Sequence, residues 1–285
     1  MKNSDTDYKE AIQANIDVHS AMADDYNTIE PHFRKESIDR VKEIISELGK
    51  EHSIEKVLDL GCGTGFMINI LKHHATEIKG VDVTQAMLDK VDTSGDCDIE
   101  LVNSDTGSVE LPDNYYDIAT AYTFLDHLHD MNPTFRNCYR SLKDGGVFYA
   151  DLSPNSYFWE EIKHLPKHLS YDPIINREIN AVTKKDEEIE AEFGVKSETF
   201  VKAEYQKHVE GGLNEERIEA QLKAVGFKEV RFIYHWFLGQ AQLVNDPSRD
   251  KAQNLEYAQI MHNVLVKSLP LSRHLFKYIG FVAIK

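Results

Sequence analysis

The stretch 57–66, VLDLGCGTGF, constrains the fold of this chain more than any other part of it. Val57-Leu58-Asp59-Leu60 is a short, mostly apolar run that suits a buried strand. It breaks into Gly61-Cys62-Gly63-Thr64-Gly65 and resumes as a helix-like pattern with Phe66, Met67, Ile70 and Leu71 apolar. Strand, glycine bend and helix in that order leave unpaired N–H groups at the helix start, which suit a carboxylate or a phosphate. Glycine supplies the positive φ such a bend needs and lets a ligand lie against bare backbone.

Four further runs repeat the theme. Residues 78–83 read as the next strand and carry Asp82 roughly 20 residues after the glycines, the spacing of a ribose-binding acid. Residues 99–105 form another strand-like run closing on Asp105, and 116–122 and 142–151 supply a fourth and a fifth. The ordered series resembles the class I S-adenosylmethionine-dependent methyltransferases, over roughly half the chain. Gly61, Gly63 and Gly65 alternate, which departs from the G-x-G-x-x-G of dinucleotide enzymes. The resemblance implies an α/β, Rossmann-like, mostly parallel seven-stranded sheet with an antiparallel last strand. It also implies S-adenosyl-L-methionine as methyl donor and S-adenosyl-L-homocysteine as product.

With 285 residues the chain is long enough for one large domain or two small ones. We read a single methyltransferase domain over 1–285. A formal charge of −16 opposes non-specific binding to nucleic acid or an anionic membrane. Cys62, Cys97 and Cys138 follow no metal-ligand spacing, so no metal is expected. Their odd number points to free thiols in a reducing compartment, hence a cytoplasmic protein. The polar start has no apolar signal region, and no run is long enough to span a bilayer.

The chain in order gives N-terminal helices over 1–50, at 12–26 and 33–48, the second ending at Gly49. A cofactor-binding core over 51–153 follows, with helices at 86–91 and 132–142, and strands alternating with helices imply a parallel sheet. Residues 154–212 read as an inserted lid or substrate segment: a helix at 156–168, then two or three antiparallel strands over 178–210. That assignment rests on partial alternation from Ile179 to Tyr205, with 184–192 as a solvated hairpin face. The C-terminal part, 213–285, has a helix at 214–225 between Asn214 and Gly226, a sixth strand at 228–236, a helical insertion at 237–272 and a final strand at 276–284. The insertions read as a cover over the active-site edge, with a dimer surface as the alternative.

Site roles follow from the resemblance. Gly61 and Gly63, with Cys62 between them, would carry the amino-acid end of the cofactor, and Asp59 its ammonium group. Asp82 would take the ribose hydroxyls, Val83 and Met87 would pad the adenine, and Asp105 with Ser104 and Thr106 would receive its amino group. Tyr26 matches a family tyrosine near the methionine end, or else staples two helices. Tyr122 would line the sulfonium, because aromatic faces attract cations. His127 matches a family histidine after the fourth strand and is the candidate base, a backbone-bonded histidine being the alternative. Phe124, Tyr157, Tyr205, His235 and Trp236 are candidate substrate residues.

The expected function is methyl transfer to a small-molecule acceptor at O, N or C by in-line displacement, in a possible homodimer without nucleic-acid or membrane partners. The segment after the fifth strand resembles that of members acting on amino sugars, amines and secondary metabolites. The alternatives are an RNA or protein methyltransferase, or a non-catalytic S-adenosylmethionine-binding protein.

Overall fold

The computed structural model describes residues 4–166 and 168–285, without the side chains of 4, 5 and 181–183. Among the described residues the strands are β1 (Lys56–Leu60), β2 (Glu77–Asp82), β3 (Asp98–Asn103), β4 (Tyr116–Tyr122), β5 (Leu142–Pro154), β6 (Glu229–Phe237) and β7 (Phe276–Ile284). They form one seven-stranded sheet in the order β3-β2-β1-β4-β5-β7-β6. β1 to β5 pair in parallel, and β7 runs antiparallel between β5 and β6. The order reverses at β1, between β2 and β4. A cleft opens there beyond the carboxyl ends of the strands, where ligands bind in open α/β sheets.

The helices are α1 (Ser4–Met22), α2 (Tyr26–Ile29), α3 (Lys35–Glu51), α4 (Phe66–Leu71), α5 (Gln85–Leu88), α6 (Asn132–Ser141) and α7 (Ser156–His164). Then come α8 (Pro173–Thr183), α9 (Lys185–Phe193), α10 (Ser197–Ala203), α11 (Tyr205–His208), α12 (Glu215–Val225), α13 (Gln240–Val244) and α14 (Lys251–Lys267). Alternation along β1 feeds two cores. Leu58 and Leu60 join Phe135, Phe148 and Phe281 on one face, and Val57 joins Val41, Ile45 and Met67 on the other. Burial on both faces explains why these strands read as apolar runs.

The structure corrects the reading of 178–210: the segment is helical. Its apolar residues keep helical spacing, with Ile189 and Phe193 four apart and Phe200 and Ala203 three apart, all facing α1. Asp172 caps α8 through the Ile174 N–H, with Pro173 in the first turn. The charge run 184–192 is not a hairpin face but α9, whose first turn carries Asp186, Glu187 and Glu188. Acids there complement the helix dipole, and Gly194 at φ 69° ends the helix. Other bounds shift too: α1 starts at Ser4 and ends at Met22, α3 runs through Gly49 to Glu51, and α7 stops at His164. Residues 1–3 and Lys167 lie outside the described residues.

Phe148 is fully buried, its ring centroid 5.9 Å from Phe135 and 5.3 Å from Phe281. Emptying that position joins lost transfer energy to a cavity between three rings. Phe148→Ala is expected to cost about 3–5 kcal/mol, read as a lower midpoint in urea unfolding.

Candidate active site

The site is built outward from the bend after β1. Gly61 has φ 69°, and a Cβ there would lie 2.0 Å from the Phe124 ring, so neither conformation nor space admits a side chain. At Gly63 (φ 50°) a Cβ would meet only the tip of Met87 at 3.7 Å, so this backbone faces open space. Asp82, at the end of β2, fixes the bend. Its Oδ2 accepts from the Gly63 N–H (2.9 Å) and its Oδ1 from the Thr84 N–H (2.8 Å). Burial pushes the Asp82 carboxyl above its ordinary range, and these bonds offset part of that rise. Each oxygen keeps a second lone pair for a ribose hydroxyl.

A cavity of about 850 Å³, its open mouth included, extends from this bend. It is lined by Tyr26, Gly61, Cys62, Gly63, Asp82 and Val83, and by Met87, Asp105, Thr106, Tyr122, Phe124 and His127. Twelve of the residues singled out in the sequence therefore meet at one place. Tyr122 stacks on Phe66 at 4.5 Å, and the His32 ring meets Phe66 edge-on at 5.2 Å. Cys62 turns its thiol toward Gly80, and burial pushes that thiol well above its ordinary range, which fits a packing residue and not a nucleophile.

Asp59 lies under the bend and not on the cavity wall. It is buried, its Oδ1 accepts from Thr120 Oγ1 (2.6 Å), and its Oδ2 has no partner. Burial pushes it up to about 7. An orphan carboxylate oxygen beneath a glycine cradle fits the ammonium end of an amino acid, reached directly or through water. Ser104 also lies off the wall, its hydroxyl donating to the Asp105 carbonyl.

Of the five candidate substrate residues, the structure brings only Phe124 to the cavity. Tyr205 stands one layer out, its ring 4.3 Å from that of His129, which lines the wall. Tyr157 lies elsewhere, under the Arg273 guanidinium (3.7 Å) with its hydroxyl on Glu216. Trp236 is a half-buried packing residue behind the wall, on the α3 side of the sheet. His235 belongs to a buried network: Arg40 donates to His235 Nε2 (2.7 Å) and to Asp151 Oδ2 (3.0 Å), and Tyr149 donates to Asp151 (2.6 Å). Burial and then Arg40 push His235 down, so it sits neutral beside Asp151. Arg40 and Asp151 are 111 residues apart in the chain, and only the fold shows that His235 is held between them.

The wall that sequence reasoning missed comes from α1. Tyr8, Ile12, Asn15 and His19 all line the cavity. Tyr8 hydrogen-bonds to Asp105, and burial together with that carboxylate pushes its phenol well up. The Asn15 amide donates to the His127 carbonyl (3.1 Å), and Lys202 of α10 pairs with Glu10 of α1 (2.7 Å). The available signal was helical spacing: residues 8, 12, 15 and 19 lie on one helix face.

Residues 58–150 match the family described as "Methyltransferase domain". A ubiquinone biosynthesis O-methyltransferase of Pseudomonas entomophila is 28% identical over 121 residues, 40% of this chain and 50% of that protein. The chain thus spans about half the length of the curated relatives it matches. Among solved structures, a SAM-dependent methyltransferase from Archaeoglobus fulgidus superposes with TM-score 0.51 at 18% identity, covering 87% of this chain and 95% of that one. Phosphoethanolamine N-methyltransferase 2 of Haemonchus contortus, in complex with S-adenosyl-L-methionine, gives TM-score 0.51 at 14% identity, over 93% of this chain and 60% of that one.

Residues 58–150 thus form a methyltransferase domain, and the fold around them is that of class I S-adenosylmethionine-dependent methyltransferases. Among the described residues no helix is long and apolar enough to cross a membrane.

An Asp59 carboxylate that held the ammonium end of the cofactor would make binding pH-dependent. The ionised form, which attracts the ammonium, is populated above about pH 7. Affinity for S-adenosylhomocysteine is expected to rise about tenfold from pH 6 to pH 8 by calorimetry, and Asp59→Asn is expected to flatten that rise.

Proposed function

We propose that this protein transfers a methyl group from S-adenosylmethionine to a small-molecule acceptor by in-line displacement. One observation carries the reading: a single cavity joins the glycine bend, Asp82 and Asp105 to an end walled by His127 and aromatic rings. When bound, the cofactor supplies an electrophilic methyl group on a positively charged sulfur. The chain's own part is to align and to enclose. The bend and Asp59 would hold the amino-acid end, Asp82 the ribose, and Asp105 with Thr106 the adenine, padded by Val83 and Met87. Tyr26 and Tyr122 would flank the sulfur, and His127 would take a proton from the acceptor. The O-methyltransferase named among the relatives supports a small-molecule acceptor.

Enclosure falls to α1 and to the helices α9 and α10 that share its apolar seam, which form the cover in this reading. Three free, buried cysteines support a reducing compartment such as the cytoplasm. A homodimer is part of the same reading. It is supported by the exposed stripe of Tyr257, Ile260, Met261 and Val264 on α14, and a monomer in sedimentation equilibrium would remove it.

The test is transfer of tritiated methyl from S-adenosylmethionine into a metabolite extract. Label is expected in a low-molecular-weight product, and Asp82→Ala should lower transfer at least about tenfold. Label in RNA or protein would redirect the reading. Tight cofactor binding without transfer to any pool would mark a non-catalytic binder.

A further inference from the structure

Two histidines meet at the acceptor end of the cavity. His19 comes from α1, and His127 from the 3-10 turn at Leu125–His127 that follows β4. Their ring centroids are 4.8 Å apart and the planes nearly perpendicular. Each ring is tethered by its Nδ1 to a backbone carbonyl: His127 to Ala203 (3.0 Å) and His19 to Asn15 (2.9 Å). A carbonyl oxygen only accepts, so each Nδ1 carries the ring hydrogen and each neutral Nε2 presents a lone pair. Charge is the second constraint. Among the described residues lining the cavity there is no lysine or arginine, and the acids there are Asp82 and Asp105. A carboxylate or phosphate on an acceptor would find no cation to compensate its desolvation.

We propose that His19 and His127 together contact the acceptor, and that the acceptor is a protic molecule, reacting at N–H or O–H, that carries no anionic group. This rests on the methyltransferase reading above. His127 takes the proton, and His19 accepts a second hydrogen bond that orients the acceptor. The surroundings divide the work in this way. His127 stands on the turn after β4 with Asp126 beside it, and Glu204, the acid between α10 and α11, is itself paired with Lys207 and with His208 (3.0 Å). His19 is pushed down to about 4 by burial and then by His127, against the Asn15 carbonyl and Glu204. It remains a neutral acceptor at neutral pH.

The step balances within these groups. A lone pair on the acceptor N or O forms the bond to the methyl carbon as the carbon–sulfur bond breaks. That bond's electron pair stays on sulfur, which becomes a neutral thioether. The acceptor's proton passes to His127 Nε2 and from there to solvent.

Ligand-observed NMR on the protein loaded with S-adenosylhomocysteine tests the proposal with three probes of similar size: tyramine, catechol and 4-hydroxybenzoate. Tyramine or catechol should bind at least about tenfold more tightly than 4-hydroxybenzoate, and lose about fivefold or more in both His19→Gln and His127→Gln. Equal or tighter binding of 4-hydroxybenzoate, no binding of the other two, or indifference to His19→Gln overturns the proposal. Long-range nitrogen-15 NMR of the unmodified protein reads the tautomers independently. His19 should be the Nδ1–H form and uncharged at pH 6, and an Nε2–H form overturns the assignment. Calorimetry with S-adenosylhomocysteine separates the layers: no binding would overturn the cofactor reading and this proposal with it, whereas binding together with a contrary probe result would overturn this proposal alone.

Discussion

The Asp82 carboxylate is the fixed point of this molecule. It closes β2 and accepts one backbone N–H from the glycine bend and one from the turn that opens α5. Those two bonds tie together segments that leave neighbouring strands at the place where the sheet order reverses. The cost of burying an acid there is offset by its donors, and its unused lone pairs face the cavity. The Phe124 ring, seated where a Gly61 side chain would be, locks the fourth strand's exit to the same bend. Cofactor cradle and acceptor wall are thus one packed unit, and a shift in either moves the other.

Chemistry of this kind asks little of the protein beyond alignment and dryness, and the fold divides those tasks between rigid and added parts. In the proposed reading the sheet edge supplies alignment through acids at strand ends. In the same reading the cover is helical and comes from both sides of the core in sequence, α1 from the start and α9 and α10 from the segment after β5. They share an apolar seam of Val18, Met22, Ile189 and Phe200. Asn15 ties this cover to the turn holding His127. Tyr8, on Asp105, stands where the adenine amino group would bind, so α1 senses that end of the cleft as well.

How much of this was legible follows from the kind of signal each part carries. The sheet and the bend could be read because strand burial, glycine conformation and acid spacing are local properties of contiguous residues. The same holds for Asn214 and Gly226 bounding α12. The cover could not be read as well: short apolar runs fit either period, and the alternation seen between Ile179 and Tyr205 was weaker evidence than the Asp172–Pro173 cap and Gly194 stop that contradicted it. His235 and Trp236 were chosen for chemistry and strand-end position. What decides their role is Arg40 and the α3 side of the core, contacts that no local pattern encodes. His19 was missed for the converse reason, since a lone histidine on a polar helix gains meaning only when His127 is brought beside it.

A crystal structure of the protein with S-adenosylhomocysteine tests the central claim most directly. The account predicts both ribose hydroxyls within about 3 Å of the Asp82 carboxylate, the amino-acid end on the N–H groups of the glycine bend, and the sulfur facing His127. A ligand bound outside this cleft, or one whose ribose leaves Asp82 uncontacted, would contradict it.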